Sequence, residues 1–326
     1  MPRDDPRDHP GARCPAHAGA TNLMDMDVIT THGLTKTYGP TTVVDSLDLA
    51  VPAGSVYGFL GPNGSGKSTT MKMLLRLVRP TRGDIEIFGR PMNDANRREL
   101  LAHIGSLIEA PSVYGHLTGA ENMAVTARLL RLDDAAVRDA LATVRLTEHK
   151  DKLVRHYSLG MRQRLGIALA LAREPRLLIL DEPTNGLDPA GTEEIRQLLG
   201  SLAERGVTVM VSSHQLAEID KMAGVIGILD HGRLVFQGTR AQLFEASRPD
   251  ILVETPEADR AADLVNVAPG GARTPGEIRL GGLSTTQTAE AVTRLVRHDV
   301  PIHAVRREEQ TLEDVFLALT GRGGQL

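Results

Sequence analysis

The eight residues Gly61-Pro-Asn-Gly-Ser-Gly-Lys-Ser68 constrain this chain more than any other stretch. Their glycines free the backbone to curl so that successive N–H groups point inward, and the run matches the phosphate-loop pattern G-x-x-x-x-G-K-[ST]. The apolar run 56–60 before it reads as a buried strand. Residues 67–78 after it carry Met71, Leu74, Leu75 and Val78 at helical spacing, so the loop opens a helix. A helix N-terminus and a ring of N–H groups aimed at one place suit a polyphosphate. Lys67 would reach the β- and γ-phosphates, and the Ser68 hydroxyl a magnesium ion.

A chain of 326 residues, 41% of them apolar, predicts two domains or one domain with an appendage. A net charge of −4 gives no general attraction to nucleic acid or anionic lipid. The only cysteine is Cys14, which excludes an internal disulfide and fits a reducing compartment. No apolar run approaches the roughly 18–20 residues of a membrane span, so a soluble chain is expected. Residues 1–25 are rich in Pro, Asp, Arg and His and read as a disordered leader rather than a signal peptide. Met24 or Met26 is then an alternative start.

Along the chain, strands are expected at 28–34, 43–51 and 84–89, and a helix at 96–104. Residues 112–155 turn helical. Thr118 and Glu121 form a capping box, and Asp133 caps a second helix, an insertion between two halves of a parallel-sheet domain. Ser158 stands where an N-cap belongs, ahead of a helix over 159–172. The apolar run 176–180 reads as a fully buried parallel strand ending at Asp181-Glu182-Pro183. Asp188 and Pro189 begin a helix that Gly206 ends, and the buried strand 207–213 stops at His214. After a helix over 215–224, strands 225–230 and 233–238 pair, and Thr239 with Gln242 caps a helix to about 247. From 251 onward strands 251–255, 277–281 and 301–305 alternate with helices 257–266, 285–298 and 311–319. That is the pattern of a small α+β appendage.

In open α/β sheets the ligand lies at the carboxyl ends of the strands. Asp181 and Glu182 close one such strand, so both carboxylates are expected beside the phosphate loop. Asp181 would hold magnesium and Glu182 would orient a water toward the γ-phosphate. The plainer alternative is an acidic strand-end turn before Pro183.

Five motifs in order, Tyr38, GPNGSGKST at 61–69, YSLGMRQR at 157–164, LLILDEPTNGLDP at 177–189 and SSH at 212–214, resemble the ATPase subunit of an ATP-binding-cassette (ABC) transporter over residues 27–247. The segments Ile104-Gly-Ser-Leu-Ile-Glu-Ala-Pro111 and Thr311-Leu-Glu-Asp-Val-Phe316 further resemble its antibiotic-export and self-resistance branch, of bacitracin and daunorubicin type. The resemblance implies an α/β fold: a P-loop NTPase core over 26–248, with an antiparallel β subdomain and a helical subdomain at about 105–155. A C-terminal α+β accessory domain would cover 249–326. It also implies ATP and Mg2+. Tyr38 would stack on adenine, and Gly61, Pro62, Asn63, Gly64, Ser65, Gly66, Lys67, Ser68 and Thr69 would cradle the phosphates. Ser158 and Gly160 would contact the phosphate of an ATP held by the opposite subunit. Asp188 would sit in the loop coupling the two sites, and His214 would contact the γ-phosphate. Glu182, His214 and Lys67 form the implied catalytic set, and Ser68, Asp181 and Glu109 the implied metal set. Each has a plain reading beside it: Tyr38 as surface, Ser158 and Asp188 as N-caps, His214 as a structural strand-end histidine.

Two departures stand out. Glu109 occupies the place of the family's usual glutamine, and Leu159 and Met161 replace a glycine and a glutamine of its signature. A carboxylate at 109 would repel phosphate without magnesium, yet it would attract a basic coupling helix. The rest of the set is intact, so hydrolysis is expected. With the Ser158 helix facing away from its own phosphate loop, two subunits would close head to tail as a homodimer or pseudo-dimer around two ATP molecules. A separate polytopic membrane permease would dock on 105–155, placing the chain in the cytoplasm, peripheral on the inner face of the membrane. The C-terminal appendage carries no chemical motif and reads as a dimer-side stabilising domain before a regulatory ligand site. The alternatives are an importer ATPase, or a soluble ABC ATPase acting in translation or DNA maintenance. A single phosphate loop, a short insertion and the lack of a basic stripe for nucleic acid argue against the latter.

Overall fold

The computed structural model describes residues 27–246, 250–265, 276–281, 283–308 and 314–316. The leader at 1–25 and all but 314–316 of the expected helix 311–319 lie outside the described residues.

The site is carried by a six-stranded sheet in the order β11-β10-β4-β9-β8-β7. These strands are β4 (Val56–Leu60), β7 (Ile104–Leu107), β8 (Leu177–Leu180), β9 (Thr208–Ser213), β10 (Val225–Asp230) and β11 (Arg233–Thr239). All neighbours run parallel except the β10–β11 hairpin. Every residue of β4, β8 and β9 is buried, which explains why they read as continuous apolar runs rather than alternating ones. The two-residue period of a strand then divides them between two cores. Leu177, Ile179 and Met210 join Tyr57, Phe59, Met71, Met73 and Leu74 on one face. Leu178, Leu180, Val209 and Val211 join Val56, Leu60, Leu165, Leu198 and Leu199 on the other. At about 1.5–3 kcal/mol for each large apolar side chain fully buried, the central strands anchor the sheet whose carboxyl ends hold the polar residues.

Over the first face lies an antiparallel sheet of β1 (Asp27–Tyr38), β2 (Thr41–Leu47), β3 (Ala50–Pro52), β5 (Arg82–Ile87) and β6 (Arg90–Pro91). Helix α1 (Lys67–Leu74) shares its core, and α2 (Arg97–Leu101) leads into β7. The second face carries α5 (Leu159–Leu171), α6 (Pro189–Glu204), α7 (Leu216–Asp220) and α8 (Arg240–Ala246). The insertion contributes α3 (Gly119–Leu130) and α4 (Asp134–Thr143). Thr118 and Glu121 form the expected reciprocal capping box, and Asp133 caps α4 by accepting from the Ala136 N–H. Met123, Leu141, Val144 and Leu146 pack the insertion into the same apolar cluster as α5.

Beyond α8, strands β12 (Ile251–Glu254), β13 (Glu277–Leu280) and β14 (Ala304–Arg307) form an antiparallel sheet in the order β13-β12-β14. Helices α9 (Ala258–Val265) and α10 (Thr285–Arg297) cover one face around Ile251, Val253, Ile278, Leu280, Ala261 and Leu295. The chain then returns. Val315 and Phe316 are buried in the cluster that holds Val56, Leu60 and Leu243, so the last described residues pack against the second face of the six-stranded sheet rather than their own small sheet.

Several expected boundaries move, for local reasons. The helix expected at 96–104 ends at Leu101, and Ile104–Leu107 instead pairs in register with Leu177–Leu180 as a strand. Four residues that include Gly105 carry little strand signal of their own, and the neighbouring strand supplies it. The first helix stops at Leu74, with Arg76 at φ 55, rather than running to 78. The stretch 43–51 falls in two strands, β2 ending at Leu47 and β3 starting at Ala50, with Ser46 at φ 50 just before the break. The strand expected at 84–89 runs Arg82–Ile87 instead, because Phe88 (φ 55) and Gly89 (φ 71) turn the chain after it. The last strand begins at Ala304 rather than 301.

Candidate nucleotide site

The loop 61–69 leaves the carboxyl end of β4 and enters α1 with the backbone its glycines permit: Gly64 has φ 81 and Gly66 φ 107. A Cβ at Gly61 would lie 2.3 Å from the Leu229 carbonyl, and one at Gly66 2.7 Å from the Val43 carbonyl, so the cradle is closed to larger residues at both. Gly66 itself is the N-cap of α1 and no side chain caps the helix, leaving the positive end of the helix facing the cradle. The Ser65 hydroxyl is buried there without a hydrogen-bond partner, an orphaned polar atom in a place built to meet an anion.

Lys67 is buried. Its Nζ donates to the carbonyls of Gly61 (2.7 Å) and Pro62 (3.2 Å) and stands 3.9 Å from Glu182 Oε1. Burial holds its pKa below the ordinary lysine value, partly offset by the nearby Glu182 and Asp181 carboxylates. The ammonium is held in waiting by two loop carbonyls and one carboxylate, each a weaker partner than a triphosphate.

Asp181 and Glu182 follow β8 immediately. Asp181 is buried; its N–H donates to Leu107 O (2.8 Å), and its Oδ1 accepts the Ser212 hydroxyl at 2.6 Å. Glu182 has φ 46, the left-handed region that a side-chain-bearing residue rarely occupies. Its N–H donates to Ser212 Oγ (2.9 Å), and its Oε2 accepts from Asn185 Nδ2 (3.2 Å). His214 Nδ1 stands 3.2 Å from the same Oε2 without hydrogen-bond directionality, so this is an electrostatic contact that strengthens when the ring is protonated. Just past these residues, Thr184 donates to Glu218 Oε2 (2.5 Å), and the Ser213 hydroxyl accepts from the Gln215 N–H (2.9 Å). These bonds tie the segment after β8 to α7.

A cleft of about 430 Å3 joins Ser68, Glu109, Asp181, Glu182, Asn185, Leu159 and Gln163. The oxygen donors Ser68 and Asp181 suit magnesium. Among the described residues no cluster of three or more His, Cys, Asp or Glu is placed to hold a metal, so a cation here would need phosphate oxygens and water to complete its shell. The residues therefore fit a magnesium that arrives with its nucleotide. Glu109 lies on the rim with φ 66, and its Oε1 accepts from Lys72 Nζ at 2.5 Å. Lys72 sits one turn after Ser68 on α1. The pair lowers the Glu109 pKa and raises that of Lys72, chiefly through that hydrogen bond.

The remaining expected residues sit elsewhere. Tyr38 ends β1, half exposed, with Lys36 Nζ 4.7 Å from its ring centroid. Ser158 caps α5 by accepting the Met161 N–H (3.2 Å), and Asp188 caps α6 by accepting the Gly191 N–H (3.1 Å). Ser158 and Gly160 do not line the cleft, whereas Leu159 and Gln163 of the same helix do, so α5 is not turned wholly away from its own phosphate loop. A Cβ at Gly160 would meet only Leu187 Cδ2, at 3.7 Å, an ordinary contact. Nothing among the described residues requires glycine there. The sequence reading missed Ser212 as a structural tie, and with it Asn185, Lys72, Thr184 and Glu218. Lys72, four residues after Ser68 on one helix face, and Asn185, three residues after Glu182, were findable by spacing; the ties of Ser212, Thr184 and Glu218 depend on which segments lie side by side.

A family model described as ABC transporter matches residues 44–185, which take in the phosphate loop and both strand-end carboxylates. The bacitracin transport ATP-binding protein BcrA of Enterococcus faecalis is 41% identical over 308 residues, covering 93% of this chain and 99% of the relative. The chain belongs to the ABC transporter ATPase family. The daunorubicin/doxorubicin resistance ATP-binding protein DrrA of Streptomyces peucetius is 36% identical over 317 residues, covering 92% of this ABC ATPase and 94% of that protein. Among solved structures, an ATP-binding subunit of an ABC transporter aligns with TM-score 0.61 and 28% identity, over 67% of this chain and 92% of its own. A dimeric ATP-binding cassette in a post-hydrolysis state with ADP and Pi aligns with TM-score 0.59 and 27% identity, over 65% and 98%. This ABC ATPase is thus an ATP-hydrolysing, energy-coupling subunit. No helix among its described residues is long and apolar enough to cross a membrane.

Proposed function

We propose that this ATPase drives a membrane exporter for an antibiotic or another hydrophobic or amphipathic compound. It would work as a head-to-tail dimer that closes on ATP and reopens after hydrolysis. The observation that carries the catalytic reading is Glu182. It is held in a left-handed conformation with its carboxylate among Lys67, Asn185 and His214, at the edge of a cradle that leaves α1 uncapped.

Each residue then has a task. The N–H groups of 61–69 and the end of α1 bind the triphosphate, and Lys67 exchanges its two carbonyl partners for phosphate oxygens. Ser68 and Asp181 would hold magnesium, which supplies neutralisation of charge developing on the transferred phosphate. Glu182 orients the attacking water through its carboxylate, steadied by Asn185, and His214 reaches the γ-phosphate from the neighbouring strand end. Chemistry of this kind is positioning and electrostatics, with little covalent work for the protein. Tyr38 supplies an aromatic face for adenine at the open edge of the site.

Ser158 and Gly160 complete the site of the partner protomer. Gly160 is compatible with this reading, because the absence of a side chain leaves the tip of α5 open to a partner. A ligand shifts an open–closed equilibrium only by what it binds better in one state, and the γ-phosphate is the group ADP lacks. The permease would dock on 105–155, where the exposed rim residue Glu109 offers charge to a basic coupling helix. Residues 26–248 would form the nucleotide-binding domain. Residues 249–326 would form an accessory domain pinned at its far end by Val315 and Phe316. The relatives named for bacitracin transport and daunorubicin resistance support the substrate class.

The test pairs binding with transport. In cells that also make the membrane subunit, Lys67→Ala should abolish both nucleotide binding and drug tolerance. Retained tolerance with binding lost would contradict the proposal.

A further inference from the structure

We infer that Ser212 is a positioning residue that fixes the two carboxylates of the site, Asp181 and Glu182, as one unit. The inference rests on the roles proposed above for those carboxylates. A hydroxyl has one hydrogen to give and lone pairs to receive. Ser212 gives its hydrogen to Asp181 Oδ1 at 2.6 Å and receives the Glu182 N–H at 2.9 Å. Its side chain is 0% exposed, so water has no access to replace either bond.

The position follows from strand register. In β9, Ser212 pairs with Phe59 of β4, and Val211 before it pairs with Leu180 of β8, directly ahead of Asp181. The hydroxyl therefore lies between the strand that opens the phosphate loop and the strand that delivers the acids. Its two bonds have different effects. The bond to Asp181 fixes one carboxylate oxygen and so sets which oxygen is presented to a cation. The bond from Glu182 holds the backbone at φ 46, a conformation that needs support from its surroundings and that aims the carboxylate toward Lys67 and His214. The adjacent Ser213 is committed elsewhere, accepting from the Gln215 N–H and lying 3.4 Å from Glu218 Oε2, so the two serines of the SSH run are not interchangeable.

The experiment compares Ser212→Ala, Ser212→Cys, Glu182→Gln and the parent protein. Binding of a fluorescent ATP analogue is titrated with magnesium and with EDTA, and phosphate release is followed in parallel. Losing a buried hydrogen bond to a charged group corresponds to roughly a ten- to hundredfold fall in kcat. Ser212→Ala should show that fall and should lose the magnesium-dependent gain in nucleotide affinity. Its metal-free affinity should stay within about twofold of the parent, which also shows that it folds. Ser212→Cys keeps the side-chain shape with a somewhat larger atom that bonds weakly, and it should reproduce both losses. A purely packing role would leave the cysteine variant normal in kcat and in its magnesium response, and that result overturns the inference. Normal turnover in Ser212→Ala would overturn it equally. If Glu182→Gln stalls while the Ser212 variants turn over normally, only the Ser212 inference falls. If Glu182→Gln itself hydrolyses normally, the underlying assignment of the carboxylates falls.

Discussion

Replacing Glu182 by Gln should tighten ATP binding while stopping turnover, and the size of the first effect can be worked from one distance. Glu182 Oε1 lies 3.9 Å from Lys67 Nζ. At an effective dielectric near 20, unit charges at that separation attract by about 4 kcal/mol. Glu182 keeps 24% of its side chain exposed, so solvent screening cuts the net interaction, to about 1–2 kcal/mol. A triphosphate entering the cradle must draw Lys67 away from that carboxylate and tolerate a negative charge beside its γ-phosphate. Glutamine removes both penalties and keeps the side-chain volume and the Asn185 contact. The dissociation constant for ATP measured in EDTA should therefore fall by about five- to thirtyfold. ADP, without the γ-phosphate, should gain less. Phosphate release should drop by about 10²–10⁴, the usual contribution of a positioned acid–base group. Equilibrium fluorescence titration and a phosphate-release assay read the two effects. ATP affinity equal to or weaker than the parent's, or undiminished turnover, would refute the electrostatic account of this corner.

Lys67→Met should abolish ATP binding yet raise the melting temperature of the nucleotide-free protein by a few degrees, because burial disfavours the charged lysine in the fold. The sign follows from the lowered pKa. Between the lowered folded value and the ordinary lysine value of 10.5 the unfolded chain holds more protons at this residue, so its destabilising effect is fully present at neutral pH and relieved as pH rises through the folded value. Thermal melts at several pH values should show that rise in the parent and not in the variant. At the Lys72–Glu109 pair, the Glu109 contribution is present above the ordinary glutamate value of 4.5 and lost as pH falls through its lower folded value. The pair is exposed, so melts of Glu109→Gln and Lys72→Met should change little, whereas magnesium-dependent ATPase assays of the singles and the double should be non-additive; additive effects would mean Lys72 does not govern Glu109.

Much of this is legible in the amino-acid sequence. The phosphate loop, the buried strands Val56–Leu60 and Leu177–Leu180, and the caps at Thr118, Asp133, Ser158 and Asp188 are local signals: glycine at positive φ, apolar runs, and short polar side chains ahead of helices. Strand β7 was not readable, because Ile-Gly-Ser-Leu takes its extended form from pairing with β8. The left-handed Glu182 was not readable either, since its support comes from Ser212, thirty residues away on another strand. The return of Val315 and Phe316 to the core on the second face of the six-stranded sheet is likewise a tertiary fact, invisible in a motif of six residues.

The central claim is that one protomer's phosphate cradle works with the other's Ser158 helix tip, and mixing two inactive variants tests it most directly. Lys67→Ala removes the cradle lysine and leaves Ser158 intact; Ser158→Arg does the reverse. Each alone should be inactive. Mixed under conditions of ATP-dependent pairing, a heterodimer would hold one site made of an intact cradle facing an intact Ser158, and ATPase activity should return. A mixture as inactive as its parents, or a Ser158→Arg protein that hydrolyses ATP normally by itself, would show that each chain completes its own site.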